Sequence, residues 1–329
     1  MIVSKRPVGA IGTYSKVMGH EGIGWVRKVG SKVTSAQIED CVSLTISSCS
    51  KCRLCTRGHR TSCEKYLVQD HGQPPGFTVD KTDAQSLVDK VFVGEDKFAS
   101  WSNVKESSVV NISHLISEDE NFSVLAPLDC KFQTGAGTVT KLAGATSDDS
   151  ITILGAGAVG MSAMMAAKIL GCNPIITVDC IASRLILAKT LGATYTVNTE
   201  ELDLADQVRT ITGGIGSTIT IDTSGIVSLI KTAIDITARI GKIILVGVPP
   251  LSAAEIRFDL LSFLRSGKSI VRFLEGDVIP SQFVPEMIKW YKNGEFPIDK
   301  LVKTYKAEEF GQAISDMISG STVKSVLLW

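Results

Sequence analysis

The chain predicts an α/β protein in which a doubly wound parallel sheet is joined to a second, mostly-β domain, and three observations carry that prediction. From Ile151 onward strand-like and helix-like runs alternate in regular order. Alternation of this kind implies a parallel sheet covered on both faces. Before residue 130 the chain is instead rich in glycine, short β-like runs and turn signals. Finally, four cysteines, Cys49, Cys52, Cys55 and Cys63, crowd into fifteen residues.

The alternating series opens with Ile151-Thr152-Ile153-Leu154, a buried-strand run, followed by a helical stretch from Val159 to Leu170. Ile175 to Val178 reads as the second strand and Ser183 to Leu191 as the second helix. Further strands are expected at 194–197, 218–221, 242–246 and 269–273, with helices near 202–211, 226–236 and 260–265. After Phe273 the pattern loosens to helices around 283–292 and 308–318 and a last strand near 323–328. The periodicities behind these assignments are two for half-buried strands and 3.6 for helices. The change of pattern assigns 1–130 and 274–329 to one domain, with a metal lobe at 49–63, and 131–273 to a dinucleotide-binding domain.

The cysteines fall in the order Cys-x2-Cys-x2-Cys-x7-Cys. Four thiolates close a tetrahedron around Zn²⁺ with no open position, so this is read as a structural zinc site. Ligands this close in sequence also keep the chain entropy of assembly low. Two disulfides are the alternative, but the other cysteines are scattered and the chain is too long for a small stapled domain. Cys41, Cys172 and Cys180 have no ligand spacing and are assigned to packing. His59 lies inside the cysteine loop and is expected to face solvent, since four thiolates already saturate the metal.

Gly155-Ala156-Gly157-Ala158-Val159-Gly160 follows the first strand of the series and opens a helix. In that context Gly155 permits a tight turn, Gly157 lets the backbone approach a pyrophosphate, and Gly160 lets helix pack on strand. The helix N-terminus, with Val159 in its first turn, presents unpaired N–H groups to the anion. Asp179 ends the second strand nineteen residues after Gly160. A carboxylate there accepts hydrogen bonds from a ribose and repels a 2′-phosphate, which favours NAD over NADP. Arg184 is a candidate ribose or phosphate contact, although its residue type also suits an exposed helix surface.

Thirty-four basic and thirty-four acidic residues leave no net charge. That balance gives no electrostatic case for nucleic acid or an anionic membrane. The N-terminus has no apolar run of signal-peptide length, and apolar stretches elsewhere are interrupted before membrane-spanning length. A reducing cytoplasm is the expected compartment.

Gly19-His20-Glu21-Gly22-x-Gly24-x-Val26 with Val29-Gly30, the four-cysteine lobe, Pro127-x-x-Cys130, Gln133-Thr134-Gly135-x-Gly137, the glycine turn, and Val246-Gly247-Val248-Pro249-Pro250 occur in one order. Together they resemble the zinc-containing medium-chain dehydrogenase/reductase family, the alcohol dehydrogenases. Glu275-Gly276-Asp277 and Phe296-Pro297-x-Asp299-Lys300-Leu301-Val302 look most like its aryl- or benzyl-alcohol branch. The resemblance implies a GroES-like catalytic domain beside a Rossmann domain, and a catalytic zinc whose matching ligands are His20 and Cys130. It also implies Glu21 as a carboxylate near the metal, Thr134 beside the nicotinamide and Val248 in the cofactor site. The activity it implies is NAD(H)-dependent, zinc-assisted oxidation of a primary alcohol, aromatic or otherwise, to its aldehyde, or the reverse, by a homodimer or homotetramer.

One departure from the pattern stands out. The family's first catalytic ligand lies tens of residues before the Gly-His-Glu motif, but only eighteen residues precede Gly19, none of them Cys, His, Asp or Glu. The GroES-like domain is therefore expected to be short at its N-terminus, with an exposed sheet edge. Tyr14, Ser15 and Lys16 are weak candidates for a proton relay. Two other readings follow: a zinc-independent NAD(P)H reductase acting on an enone, and a catalytically impaired dinucleotide-binding homologue.

Overall fold

The computed structural model describes residues 20–65, 100–117, 122–201, 203–250, 252 and 254–329. Gly19, the Tyr14-Ser15-Lys16 run, His71 and the Gln73-Pro74-Pro75-Gly76 turn lie outside them. The described residues fall into two compact units, one of 20–137 with Leu274–Trp329, the other Thr138–Phe273.

The first unit begins with an antiparallel sheet of β1 (Gly22–Trp25), β2 (Cys41–Leu44) and β3 (Val109–Asn111), in that order. The central β2 is the buried one, with Cys41, Val42 and Ser43 all in the core. The four-cysteine lobe follows β2 and contains the short helix α1 (Arg53–Thr56) and a 3₁₀ turn at Arg60–Ser62. Pro127 then starts a helical run, with a π-helical turn at Leu128–Phe132 and the helix α2 (Gln133–Gly137) in this unit; a second π-helical turn at Thr138–Leu142 opens the other.

The sequence pattern changes after residue 130, but contacts keep 131–137 with the first unit. Packing explains why α2 stays there. A Cβ on Gly137 would come within 2.5 Å of Val278 Cγ1 and 3.3 Å of Gly276 Cα, so the helix seats its glycine face directly on the returning chain. Phe132 also joins Phe283, Trp290 and Phe296, whose successive ring centroids lie 5.7 to 6.4 Å apart, in an edge-to-face cluster.

The second unit is the α/β series. Its elements are β4 (Ile151–Leu154), α3 (Ala158–Ile169), β5 (Ile175–Asp179), α4 (Ala182–Leu191), β6 (Tyr195–Asn198), α5 (Leu204–Ile211), β7 (Ser217–Asp222), α6 (Val227–Ile236), β8 (Thr237–Leu245), α7 (Leu260–Ser266) and β9 (Ser269–Val271). All strand pairs are parallel and the order is β6-β5-β4-β7-β8-β9. That is the doubly wound order, with its reversal beside β4. Leu154, Ile176, Val178, Val197, Ile236 and Ile243 are buried in one continuous core cluster. β8 starts five residues earlier than its apolar run suggests. Thr237 pairs with Ser217 and Lys242 with Ile219, and the intervening excursion places Ile240 at φ 62.

The chain returns to the first unit as α8 (Pro280–Lys292), β10 (Val302–Lys306), α9 (Phe310–Ser319) and β11 (Lys324–Leu328). β10 and β11 pair in parallel, as a crossover through α9 requires. Proline at the first position of α8 presets its φ and gives up an N–H that would have no helical partner.

Candidate metal centres and nucleotide turn

Within the lobe, the Sγ atoms of Cys49, Cys52, Cys55 and Cys63 all lie within 4.8 Å of one another. Sulfurs about 2.3 Å from a tetrahedral ion sit about 3.8 Å apart, so the set fits one Zn²⁺ with little adjustment. All eight cysteines are free thiols, in keeping with the metal reading of these four. The backbone is already turned toward the sulfurs: Cys49 N donates to Cys63 Sγ at 3.3 Å, Cys52 N to Cys49 Sγ at 3.3 Å, and Cys55 N to Cys52 Sγ at 3.5 Å. Hydrogen bonds led by that from Cys55 N bring the Cys52 thiol down to about 6, whereas burial pushes Cys55 up to about 12. A bound cation would supply the charge that deprotonates the rest.

Two expectations about neighbouring residues are corrected. Cys41 and Cys172 are buried, with thiols raised to about 11 by burial, but Cys180 is exposed and takes no part in packing. His59 does not simply face solvent: its Nδ1 lies 2.7 Å from Asp277 Oδ2 and 2.9 Å from Oδ1. Asp277 belongs to a turn in which Glu275, Gly276 and Asp277 have φ of 47, 69 and 57. For an L-residue the left-handed region costs roughly 1–2 kcal/mol, so two such residues flanking one glycine need outside support.

The second donor set joins distant segments. His20 and Glu21 lead into β1, and Cys130 lies in the turn before α2. His20 Nε2 is 3.0 Å from Cys130 Sγ, and a Glu21 oxygen completes a group within 4.8 Å. Glu21 pairs with Lys324 at the start of β11 and accepts a hydrogen bond from Lys131 N at 3.2 Å. Burial pushes the Glu21 carboxyl up, but the Lys324 charge and hydrogen bond, with Lys131 and His20, bring it below its ordinary value. Burial, with the charges of Glu275 and Glu21, holds the Cys130 thiol well above its usual range. An imidazole, a thiolate and a carboxylate at this spacing suit Zn²⁺. Thr134 lies four residues after Cys130 and is half-buried, on the same helical side as Cys130.

Sequence reasoning missed Lys324 altogether, since it lies 303 residues from Glu21 with no motif around it. Lys131 had one available signal, its place next to Cys130.

In the second unit the glycine turn sits at the end of β4, beside the strand reversal. Gly155 has φ 103, and a Cβ on Gly160 would lie 1.8 Å from Gly155 O. Packing therefore demands both. A Cβ on Gly157 would meet nothing within 4 Å, so no protein contact requires glycine there and the open space is left for a ligand. Gly157 is also the N-cap of α3 and provides no side chain to cap it. A pyrophosphate fits both observations. Thr223 braces the turn from below, donating to Leu154 O at 3.0 Å and Gly155 O at 3.1 Å.

Asp179 Oδ2 accepts from Ala156 N at 2.7 Å and Oδ1 from Ile181 N at 2.9 Å, which fixes the carboxylate beside the turn. Arg184 on α4 is half-buried and its Nε has no hydrogen-bond partner among the described residues, in contrast to the plain surface arginine its residue type suggests. Val159 is half-buried, while Val248, beyond β8, is 74% exposed.

A doubly wound sheet with an open glycine turn, on a chain that gathers two sets of metal-type donors, fits the class of metal-using dinucleotide oxidoreductases. Comparison with known proteins narrows the class. The profile of the zinc-binding dehydrogenases matches residues 158–293, and that of the alcohol dehydrogenase GroES-like domain matches residues 3–112. Geraniol dehydrogenase of Castellaniella defragrans is 31% identical over 318 residues, covering 95% of this chain and 83% of the relative. The crystal structure of benzyl alcohol dehydrogenase from Acinetobacter calcoaceticus superposes with a TM-score of 0.86 at 34% identity, over 98% of this chain and 86% of that one. An alcohol dehydrogenase zinc-binding domain protein from Burkholderia ambifaria gives 0.85 at 35% identity, over 96% and 84%. The chain belongs to the zinc-containing alcohol dehydrogenases of the medium-chain dehydrogenase/reductase family. It is an alcohol oxidoreductase, in a family that works with zinc and a nicotinamide cofactor. Among the described residues no helix is long and apolar enough to cross a membrane.

Proposed function

We propose that the protein interconverts a primary alcohol, aromatic in the leading case, and its aldehyde with NAD(H). The observation that carries this reading is the 3.0 Å approach of His20 Nε2 to Cys130 Sγ across 110 residues, with Glu21 beside them. His20 and Cys130 hold the metal, and Glu21, steadied by Lys324, lies within reach of it. Zinc bound there supplies Lewis acidity to the substrate oxygen, and the nicotinamide supplies the hydride acceptor. Thr134 presents a hydroxyl one turn along from Cys130. The turn of Gly155, Gly157, Val159 and Gly160 takes the pyrophosphate, with Val248 and Arg184 as further cofactor contacts. Asp179 takes the ribose hydroxyls and repels a 2′-phosphate, hence NAD. The benzyl and geraniol dehydrogenases among the relatives support a bulky primary alcohol.

Cys49, Cys52, Cys55 and Cys63 hold a second, structural zinc. Free thiols of this kind suit a reducing cytoplasm. Exposed Leu260, Leu261 and Leu264 on α7, next to the edge strand β9 with half-exposed Ile270, support a homodimer or homotetramer through that edge.

Two zinc ions per chain and turnover of benzyl alcohol with NAD, several-fold better than with NADP, are expected. One zinc per chain, no turnover, and no effect of His20→Ala would refute the reading. A zinc-independent reductase is the second reading. It is favoured by the presence of only one thiolate-type donor in the His20 centre among the described residues. Full activity in Cys130→Ala would establish it.

A further inference from the structure

The turn at 275–277 touches both metal-donor sets of the first unit. On one side Asp277 takes the imidazole of His59, which sits between Cys55 and Cys63 in the four-cysteine lobe. The 3₁₀ turn at Arg60–Ser62 packs against the same segment. On the other side Glu275 Oε2 accepts from Gln133 Nε2 at 2.8 Å. That Nε2 also donates, at 3.3 Å, to the carbonyl of Asp129, the peptide that leads into Cys130. Gln133 is fully buried, and α2 seats Gly137 on Gly276 and Val278. One continuous series of contacts thus runs from the lobe to a residue of the His20 centre.

The backbone of this turn is the second observation. Glu275 and Asp277 are L-residues held left-handed on either side of a glycine. Such a conformation persists only where the surroundings over-determine it, and it is found where position matters. Here the surroundings are the two side-chain anchors, one at each end. Glycine at either position would suit the backbone better, so the carboxylates are kept for what they hold.

We propose that Glu275 and Asp277 are positioning residues, a strap by which the folded four-cysteine lobe sets the place of Cys130 through Gln133. The inference rests on the reading of Cys130 as a metal ligand. Second-sphere contacts that orient a ligand typically change metal affinity 10–100-fold when removed, and the strap acts on Cys130 in that way.

The test uses the full-length protein with Glu275→Gly, Asp277→Gly and Glu275→Gln. Zinc affinity is measured by competition with a chromophoric chelator, and amide exchange of 128–137 by mass spectrometry. Both glycine variants relieve the left-handed backbone, so a purely structural role predicts melting temperature, zinc affinity and exchange that all hold or improve. The strap predicts that the lobe zinc is retained while the second zinc binds about ten-fold or more weakly and 128–137 exchanges faster. Glu275→Gln keeps an acceptor for Gln133 and is expected to stay near wild type. Unchanged second-zinc affinity and unchanged exchange in both glycine variants would overturn the strap. If wild type takes up only the lobe zinc, the metal reading of Cys130 fails, and exchange at 128–137 alone decides: faster in the glycine variants supports the strap, unchanged rates overturn it.

Discussion

Cys49, Cys52, Cys55 and Cys63 are gathered by fifteen residues of chain, whereas His20 and Cys130 meet across 110 residues and Glu21 is held in place by Lys324, 303 residues away. The lobe brings its own backbone N–H groups to its own sulfurs. The His20 centre draws on β1, the turn before α2, and β11 together. A locally closed donor set needs a metal to hold it and little else; an assembled set needs the fold, and the metal adds chemistry to it.

That contrast predicts opposite responses to loss of one thiol. Cys52→Ser removes a ligand from a site whose metal is the folding energy of the lobe, a term of roughly 10 kcal/mol in small zinc modules. Loss of the lobe zinc, proteolytic cleavage within 49–63 and a fall in melting temperature of about 10 °C or more are expected. A variant that melts like wild type and keeps two zinc ions would break the contrast. Cys130→Ser is expected to lower zinc from two to one per chain with a small change in melting temperature, since the surrounding fold does not depend on that ion. Alcohol turnover falls by about a hundred-fold or more, because Lewis-acid assistance contributes several kcal/mol. Parallel collapse of both melting temperature and activity would show that the two centres are not built differently.

Lys324→Met tests whether the assembled centre is held by its own charges. The variant leaves Glu21 buried without its cation, a change that costs 3–5 kcal/mol for an isolated buried pair. Lys131, whose N–H still reaches Glu21, softens this to about 2 kcal/mol. Chemical denaturation measures it. The sign with pH follows from the lowered Glu21 carboxyl. A carboxylate with a depressed folded pKa contributes stability that is complete above its unfolded value of about 4.3 and is lost as pH falls through the folded one. The gap between wild type and Lys324→Met is therefore widest near neutral pH and narrows below about pH 4. A gap that widened in acid would refute the ion pair as the stabiliser of Glu21.

The same contrast explains what could be read from the chain. The lobe was legible because ligand spacing is a local property, and the Rossmann series because Ile151, Ile175 and Ser217 open strands whose periodicity is local too. Gly157 was legible from its place in the glycine motif between strand and helix, and the structure adds that no protein contact requires a glycine there. The environment of the His20 centre was not. Nothing around Lys324 marks it as Glu21's partner, and the His59–Asp277 pair spans 218 residues. Left-handed Glu275 also runs against its residue type, so turn chemistry gives no signal for it. Cys180 shows the converse limit, since an apolar neighbourhood in sequence did not bury it. β8 began early because Gly241 lets an excursion fold back against Thr237 and Thr218, a contact no strand propensity encodes.

The smallest expected effect completes the comparison. Arg53 on α1 pairs with Glu64 just beyond the last cysteine, at 3.3 Å, with side chains 65% and 42% exposed. In sequence and in space this pair closes the same loop as the metal, so it is the natural rival for holding the lobe together. Exposed pairs contribute about 0–1 kcal/mol and are screened by salt. If thiolate and metal carry the lobe, Arg53→Ala shifts the melting temperature by about 2 °C at most, and by less at high ionic strength. It also leaves zinc content unchanged. Loss of zinc from this variant at ordinary salt would mean that the lobe is held by its surface as well as by its ion, and the distinction between a locally closed and an assembled centre would have to be redrawn.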